Sequence, residues 1–136
     1  MSCRFCAIIA GEADAYRVFE DEVSLAFLDT RPLFPGHCLL LPKRHYEVLT
    51  DLPGEMLQPL FKNAQLLARA VETAMQAEGS FVAINNRVSQ SVPHLHIHVV
   101  PRRKKDGLRG FFWPRQSYTS PEEAHETQAR IQSAIE

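Results

Sequence analysis

The chain has 136 residues, 45% of them hydrophobic and 23% charged, which is enough for one compact domain with a proper core. Its 15 basic and 16 acidic residues leave a formal net charge of −1, so no global positive field marks a nucleic-acid binder. No apolar run approaches a membrane span; the longest, Cys38-Leu39-Leu40-Leu41, is the size of a buried strand.

The opening Met1-Ser2-Cys3-Arg4-Phe5-Cys6 lacks the charged-then-apolar pattern of a secretory signal. A cytoplasmic protein is expected, its three cysteines reduced or metal-bound rather than paired. Residues 6–11 suit a short helical turn ended by Gly11. Residues 17–19 and 23–28 are short and apolar around Glu20-Asp21-Glu22, which predicts a hairpin. Proline and glycine make Arg31-Pro32-Leu33-Phe34-Pro35-Gly36 a loop, and residues 37–41 read as a buried strand.

The longest element is a helix over residues 53–78. Leu57, Leu60, Phe61, Ala64, Leu67, Ala68, Val71, Ala74 and Met75 recur at three- and four-residue spacing and give it one apolar stripe. Pro59 falls early in it, and Gly79 is expected to end it. A strand at 81–84, a polar turn from Asn85 to Ser91 and a histidine-bearing strand follow. Ser120-Pro121-Glu122-Glu123 has the form of a capping box, so a terminal helix with a thin apolar face should start there. Short strands around one long helix predict an α+β fold with an antiparallel sheet rather than a doubly wound parallel one.

In Pro93-His94-Leu95-His96-Ile97-His98-Val99-Val100-Pro101, half of the six histidines stand at every second position. A strand's side chains alternate faces, so three imidazoles share one face and Leu95, Ile97 and Val99 the other. His94 and His98 would be roughly 13 Å apart, too far for both to reach one ion with His96 between them. An outer histidine could still serve a metal. Cys3 and Cys6 form a Cys-x-x-Cys pair, which is redox-active, metal-binding or incidental; two thiolates fill half of a tetrahedral zinc site. His45 and His94 are candidates for the rest, each just outside a predicted strand end. His37 reads as a partner for buried backbone groups, and His125 as solvated.

Phe27-Leu28-Asp29, Pro35-Gly36-His37, Leu41-Pro42-Lys43-Arg44-His45 and Gln90-Ser91-Val92-Pro93-His94-Leu95-His96-Ile97-His98 resemble the histidine-triad family of nucleotide-binding enzymes. The opening Cys3-x-x-Cys6-x-Ile8-Ile9-Ala10-Gly11-Glu12 is similar to its Hint-like bacterial members, and Gly110-Phe111-Phe112-Trp113 echoes the tail of some. The resemblance runs from about Cys3 to Pro101. It implies a single domain over 1–136, with 102–136 as a C-terminal extension, built on a five-stranded antiparallel sheet and pairing into a homodimer.

The same resemblance implies a purine nucleotide site and attack on its α-phosphorus. His96 is then the nucleophile that forms a covalent nucleotidyl-histidine, His98 donates to phosphate oxygens, and Ser91 reaches phosphate or leaving group. A neutral imidazole is nucleophilic near pH 7, and a covalent intermediate splits one hard displacement into two. Asp29 matches the family's ribose-binding aspartate, and Phe5, Ile8 and Phe27 its apolar base slot. Asn85, Gln90 and Ser89 fall in the phosphate loop, where the family carries glycines and this chain reads Asn85-Asn86-Arg87-Val88-Ser89-Gln90. One structural zinc per subunit, held by Cys3, Cys6, His45 and His94, is implied as well.

Three function classes remain at this point: a nucleotidyl hydrolase or transferase, a nucleotide-binding regulatory protein with vestigial hydrolysis, and a histidine metalloenzyme. The basic run Arg102-Arg103-Lys104-Lys105 is solvated surface or an attractant for an anionic leaving group. Arg109 and Arg115 flank the aromatic Phe111-Phe112-Trp113, a segment suited to covering a dimer neighbour or narrowing its pocket.

Overall fold

The computed structural model of the chain describes residues 2–108 and 115–135. In chain order these form α1 (Arg4–Ile9), β1 (Arg17–Glu20), β2 (Ser24–Leu28), β3 (Cys38–Pro42), a 3-10 turn (Leu49–Asp51), α2 (Gly54–Ala74), β4 (Gly79–Ala83), β5 (Ile97–Arg102) and α3 (Pro121–Ala134). The strands make one five-stranded sheet in the order β1-β2-β3-β5-β4, every neighbouring pair antiparallel. Two compact units are distinguished, one up to Asp106 and one from Gly107 onward. Among the described residues no helix is long and apolar enough to cross a membrane.

Alternation on the central strands gives the sheet two different faces. Ala26, Cys38, Leu40, Ile97 and Val99 pack against Leu60, Ala64, Leu67 and Val71 of α2. Leu25, Phe27, Leu39 and Leu41 point the other way and pack against Phe5 and Ile8 of α1 and against Val92. The candidate site side chains stand on the second face, because α2 closes the first.

Several boundaries differ from the expectation, each for a local reason. α2 ends at Ala74 rather than residue 78, because Gln76 takes a left-handed conformation at φ 51° and turns the chain. The chain has already joined the sheet at Glu78, whose N–H donates to the Arg102 carbonyl, so Gly79 opens β4 instead of closing the helix. The apolar stripe of α2 is wider than the sheet it covers, and Leu57 and Phe61 face outward at 44% and 36% exposure. At α3, Ser120 caps as expected, but Glu123 reaches one residue further back, accepting from Thr119 N–H at 2.6 Å.

The histidine segment is only partly a strand. The ladder begins at Ile97, leaving His94 and His96 in the approach to it, yet the alternation persists. Leu95, Ile97 and Val99 enter the α2 core, while His94 and His96 stand edge-on to Phe5 on the opposite face.

The basic run lies away from those histidines. Arg102 is about 13 Å beyond His98 along β5, and its guanidinium is held bidentately by Asp106. Arg103 donates to the Met75 carbonyl, and the Lys104 backbone N–H donates to Glu78 Oε1 at 2.7 Å. The segment fastens the end of β5 to the end of α2, which gives Arg102 and Arg103 structural partners. The expectations for Arg109 and Gly110–Trp113 fall outside the described residues.

Candidate active site and metal centre

Three imidazole tautomers are assigned by their partners. His96 Nδ1 lies 2.7 Å from the His94 carbonyl oxygen, which can only accept, so Nδ1 carries the proton and Nε2 keeps its lone pair. His37 Nδ1 accepts from Leu33 N–H at 3.0 Å, so its proton is on Nε2, and that N–H donates to His98 Nδ1 at 3.0 Å. His98 is left with its proton on Nε2. The pair His96 and His98, with ring centroids 5.0 Å apart, thus offers one lone pair and one N–H side by side.

Burial keeps these rings neutral. It lowers His96, with the hydrogen bond to the His94 carbonyl and the Asp29 charge partly opposing. It lowers His37, opposed by Asp29, whose Oδ2 is 3.7 Å from His37 Nε2. His98 is pushed down to about 4, by burial first and then by the neighbouring His96 and His37. Between about pH 4 and the ordinary 6.5 the unfolded chain binds a proton at His98 that the native chain does not. Stability therefore rises with pH across that window and is lost as pH falls through it. A His98→Gln variant should flatten part of that slope in melting temperature against pH; a slope unchanged in the variant would contradict the shift.

A cavity of about 450 Å³ opens beside these rings. Of the residues singled out in the sequence, Phe5, Ile8, Phe27, Asp29, Ser91, His96 and His98 line it; Asn85, Gln90 and Ser89 do not. Phe5 and Phe27 meet edge to face at 5.5 Å and form an apolar slot with Ile8. Asp29 Oδ1 accepts from Arg31 N–H at 2.9 Å, which fixes the carboxylate at the cavity rim. Gln90 is committed to the turn, its Oε1 accepting from Arg87 N–H and its Nε2 donating to the Glu47 carbonyl. In this loop Arg87 and Ser89 adopt left-handed conformations, φ 67° and 62°, where a glycine would sit without strain.

His37 joins the candidate site although reading the chain alone assigned it no part there. It stands two residues before Leu39, which faces His98 across the β3–β5 ladder, so the strand register puts the rings together. That pairing lies between strands distant in sequence, so no local signal reports it.

A second cluster forms at the amino terminus. Cys3 Sγ lies 3.4 Å from His94 Nδ1, Cys6 Sγ 3.4 Å from His45 Nδ1 and 3.6 Å from His94 Nδ1, and the two Nδ1 atoms are 3.2 Å apart. A tetrahedron with ligands at 2.0–2.3 Å has edges of about 3.3–3.8 Å, so these spacings suit one ion. The tautomer suits it too: His94 Nε2 donates to the Pro42 carbonyl at 2.9 Å, leaving the Nδ1 lone pair aimed at the sulfurs. Burial and the neighbouring Cys3 push the Cys6 thiol up, a penalty that a divalent cation would reverse.

Asp29, His37 and His98 also converge. Their chemistry is different, because the Leu33 N–H on His37 Nδ1 obliges Nε2 to hold a proton. That nitrogen has no lone pair for a metal, so the second group is a His37–His98 hydrogen bond with the Asp29 carboxylate 3.7 Å from its donor.

The model of the HIT domain matches residues 10–105. The chain belongs to the HIT family. An uncharacterised HIT-like protein of Mycobacterium tuberculosis is 48% identical over 110 residues, covering 79% of this chain and 76% of that one. An adenosine 5′-monophosphoramidase of Schizosaccharomyces pombe is 36% identical over 138 residues, covering 99% of each. Among solved structures, a HIT-family member from Bacillus subtilis superposes with a TM-score of 0.88 at 32% identity, over 100% of this chain and 99% of that one. A zinc-bound histidine-triad protein from Mycobacterium smegmatis gives 0.74 at 40% identity, over 99% of each. The HIT fold expected from the histidine motif is therefore the fold observed, five antiparallel strands with their helices.

Proposed function

We propose that this HIT protein hydrolyses purine nucleotides substituted at the α-phosphate, through a covalent nucleotidyl-histidine on His96. The observation that carries the reading is the His96 tautomer, with its Nε2 lone pair in a cavity and Nδ1–H fixed on the His94 carbonyl. Nε2 attacks phosphorus, a P–N bond forms and the bond to the leaving group breaks. The leaving group takes a proton from solvent through the Ser91 hydroxyl, which lines the same cavity, and the water of the second step returns one to solvent. The His98 Nε2–H is aimed where negative charge develops on the phosphate oxygens. Water then attacks the same phosphorus, and His96 leaves as imidazole. The Phe5, Ile8 and Phe27 slot takes the base, and an apolar slot reads few base edges, so purine choice is loose.

Turnover of adenosine phosphoramidate, an aminoacyl-adenylate and diadenosine tetraphosphate, each with and without inorganic phosphate, tests this reading. Phosphate-dependent release of a nucleoside diphosphate would make the protein a transferase. Tight binding without turnover of any of the three would favour a regulatory nucleotide-binding protein.

Asp29 is the ribose residue in this reading, its carboxylate accepting from both hydroxyls. Asp29→Ala should weaken binding of a nucleotide several-fold more than binding of its 2′,3′-dideoxy analogue. Removing the hydroxyls and removing the carboxylate delete the same bonds, so the two losses should not add. Additive losses would place Asp29 away from the ribose.

The Cys3, Cys6, His45 and His94 centre is read as one structural zinc per chain, its four protein ligands leaving no open position. The protein is also read as a homodimer. β4 is the last strand in the sheet order of the described residues, and Val82, Leu57 and Phe61 stand outward as apolar side chains, a surface that calls for a covering. Val82→Lys should convert a two-chain species in sedimentation into a single-chain one. Wild type sedimenting as a single chain at micromolar concentration would end the dimer reading.

A further inference from the structure

Six residues do not hold a helix by themselves, because nucleation outweighs so few backbone bonds. α1 nevertheless supplies a wall of the nucleotide cavity. Phe5 is buried, edge-on to the His96 ring at 5.0 Å, and Ile8 sits in the same cluster. The fastening is at the first turn. Cys3 caps the helix, its Sγ accepting from Cys6 N–H at 3.4 Å, and both sulfurs converge on His94 Nδ1. Phe5 therefore projects from between two thiol ligands. His94 completes the connection from the other side, with its ring in the metal cluster and its carbonyl oxygen on His96 Nδ1–H.

We propose that metal at the Cys3, Cys6, His45 and His94 centre and nucleotide in the cavity are thermodynamically coupled through α1, so that bound zinc raises nucleotide affinity. This rests on the nucleotide and zinc assignments proposed above. Without a cation, two sulfurs and two imidazole nitrogens face one another at 3.2–3.6 Å with no charge to gather them. The first turn of α1 then samples open arrangements, and the nucleotide must bear the cost of ordering the Phe5–Ile8 wall. With zinc bound the wall is formed beforehand. Cys3 and Cys6 are positioning residues in this scheme, acting on substrate only through Phe5, Ile8 and His96. The remaining attachments of α1, its core packing and the Arg17 guanidinium on the Ile8 carbonyl, hold its far end.

The test measures binding on the whole chain. The affinity for AMP is determined by calorimetry after chelation and again after loading with one equivalent of zinc. AMP should bind about tenfold tighter to the zinc form, within the usual range of coupled sites. Reciprocity requires saturating AMP to make zinc harder to withdraw with a competing chelator, by the same factor. That second arm starts from the loaded protein, so it needs neither a folded metal-free form nor a cysteine variant. In a Phe5→Ala, Ile8→Ala variant zinc should still bind, while its effect on AMP affinity shrinks toward none. Zinc bound at one per chain with equal AMP affinities in the two forms overturns the coupling and leaves the metal assignment standing. Absence of zinc binding overturns the coupling together with the metal assignment, and absence of AMP binding overturns it together with the nucleotide reading.

Discussion

Replacing His96 with alanine should abolish the covalent adduct. Wild-type protein quenched into denaturant during turnover of adenine-labelled adenosine phosphoramidate should carry label on the polypeptide, and His96→Ala should carry none. Turnover should fall by about ten-thousand-fold or more, the scale seen when a nucleophile is removed from a preorganised site. His98→Gln provides the contrast. It removes a donor to developing charge and leaves the bond-forming nitrogen, so label should still accumulate while the rate drops about a hundredfold to a thousandfold. Label persisting in His96→Ala would assign the nucleophile elsewhere. Cavity geometry supports this ordering of effects, because His96 presents its Nε2 lone pair at the cavity, whereas His98 presents an N–H there and the His94 Nδ1 lone pair faces the cysteine sulfurs.

The second large effect should come from metal removal. The centre draws residues 3 and 6 to residues 45 and 94, closing loops of 39 and 88 residues measured from Cys6. Closing loops of that length in the unfolded chain is entropically costly, and the native tie depends on the ion. Metal analysis of protein purified without a histidine tag should find about one zinc per chain, and Cys3→Ser should lose most of it. Such a loss should lower the melting temperature by on the order of 10 °C, the response of a chain this size to a few kcal/mol. Stoichiometric zinc surviving in both Cys3→Ser and Cys6→Ser would put the ion elsewhere and reopen a metalloenzyme reading.

What could be read from the chain divides by the range of the interactions involved. Strict alternation in His94-Leu95-His96-Ile97-His98-Val99 is local and fixes its faces even where the ladder has not started. The long helix was legible by period, but its end was not, since that depended on Gln76 turning left-handed and on Gly36 lying beneath Met75. A Cβ on Gly36 would come within 2.6 Å of that side chain, and Gly36 has φ +98°, so only glycine fits. Gathering Cys3, Cys6, His45 and His94 spans up to 91 residues; the Cys-x-x-Cys pair reported half of it locally, and strand-end positions with the family resemblance supplied the two histidines. His37 was invisible as a site residue because its role arises from the β3–β5 register. Gln90 matches the family by type, and its amide anchors the loop to the Glu47 carbonyl.

That loop has a consequence for motion. Glycines at positions 87 and 89 would adopt the observed backbone freely but would also sample many others, and each would lose more freedom when a ligand arrives. Arginine at φ 67° and serine at φ 62° have fewer alternatives and hold the turn at some conformational cost. Gln90 adds a strap from the turn to the Glu47 carbonyl. Strapped in this way, the loop is expected to behave as a stiff rim rather than a hinged flap, with slow backbone amide exchange at Arg87, whose N–H is held by Gln90. Ligand exchange at the proposed site should then need no movement of this segment.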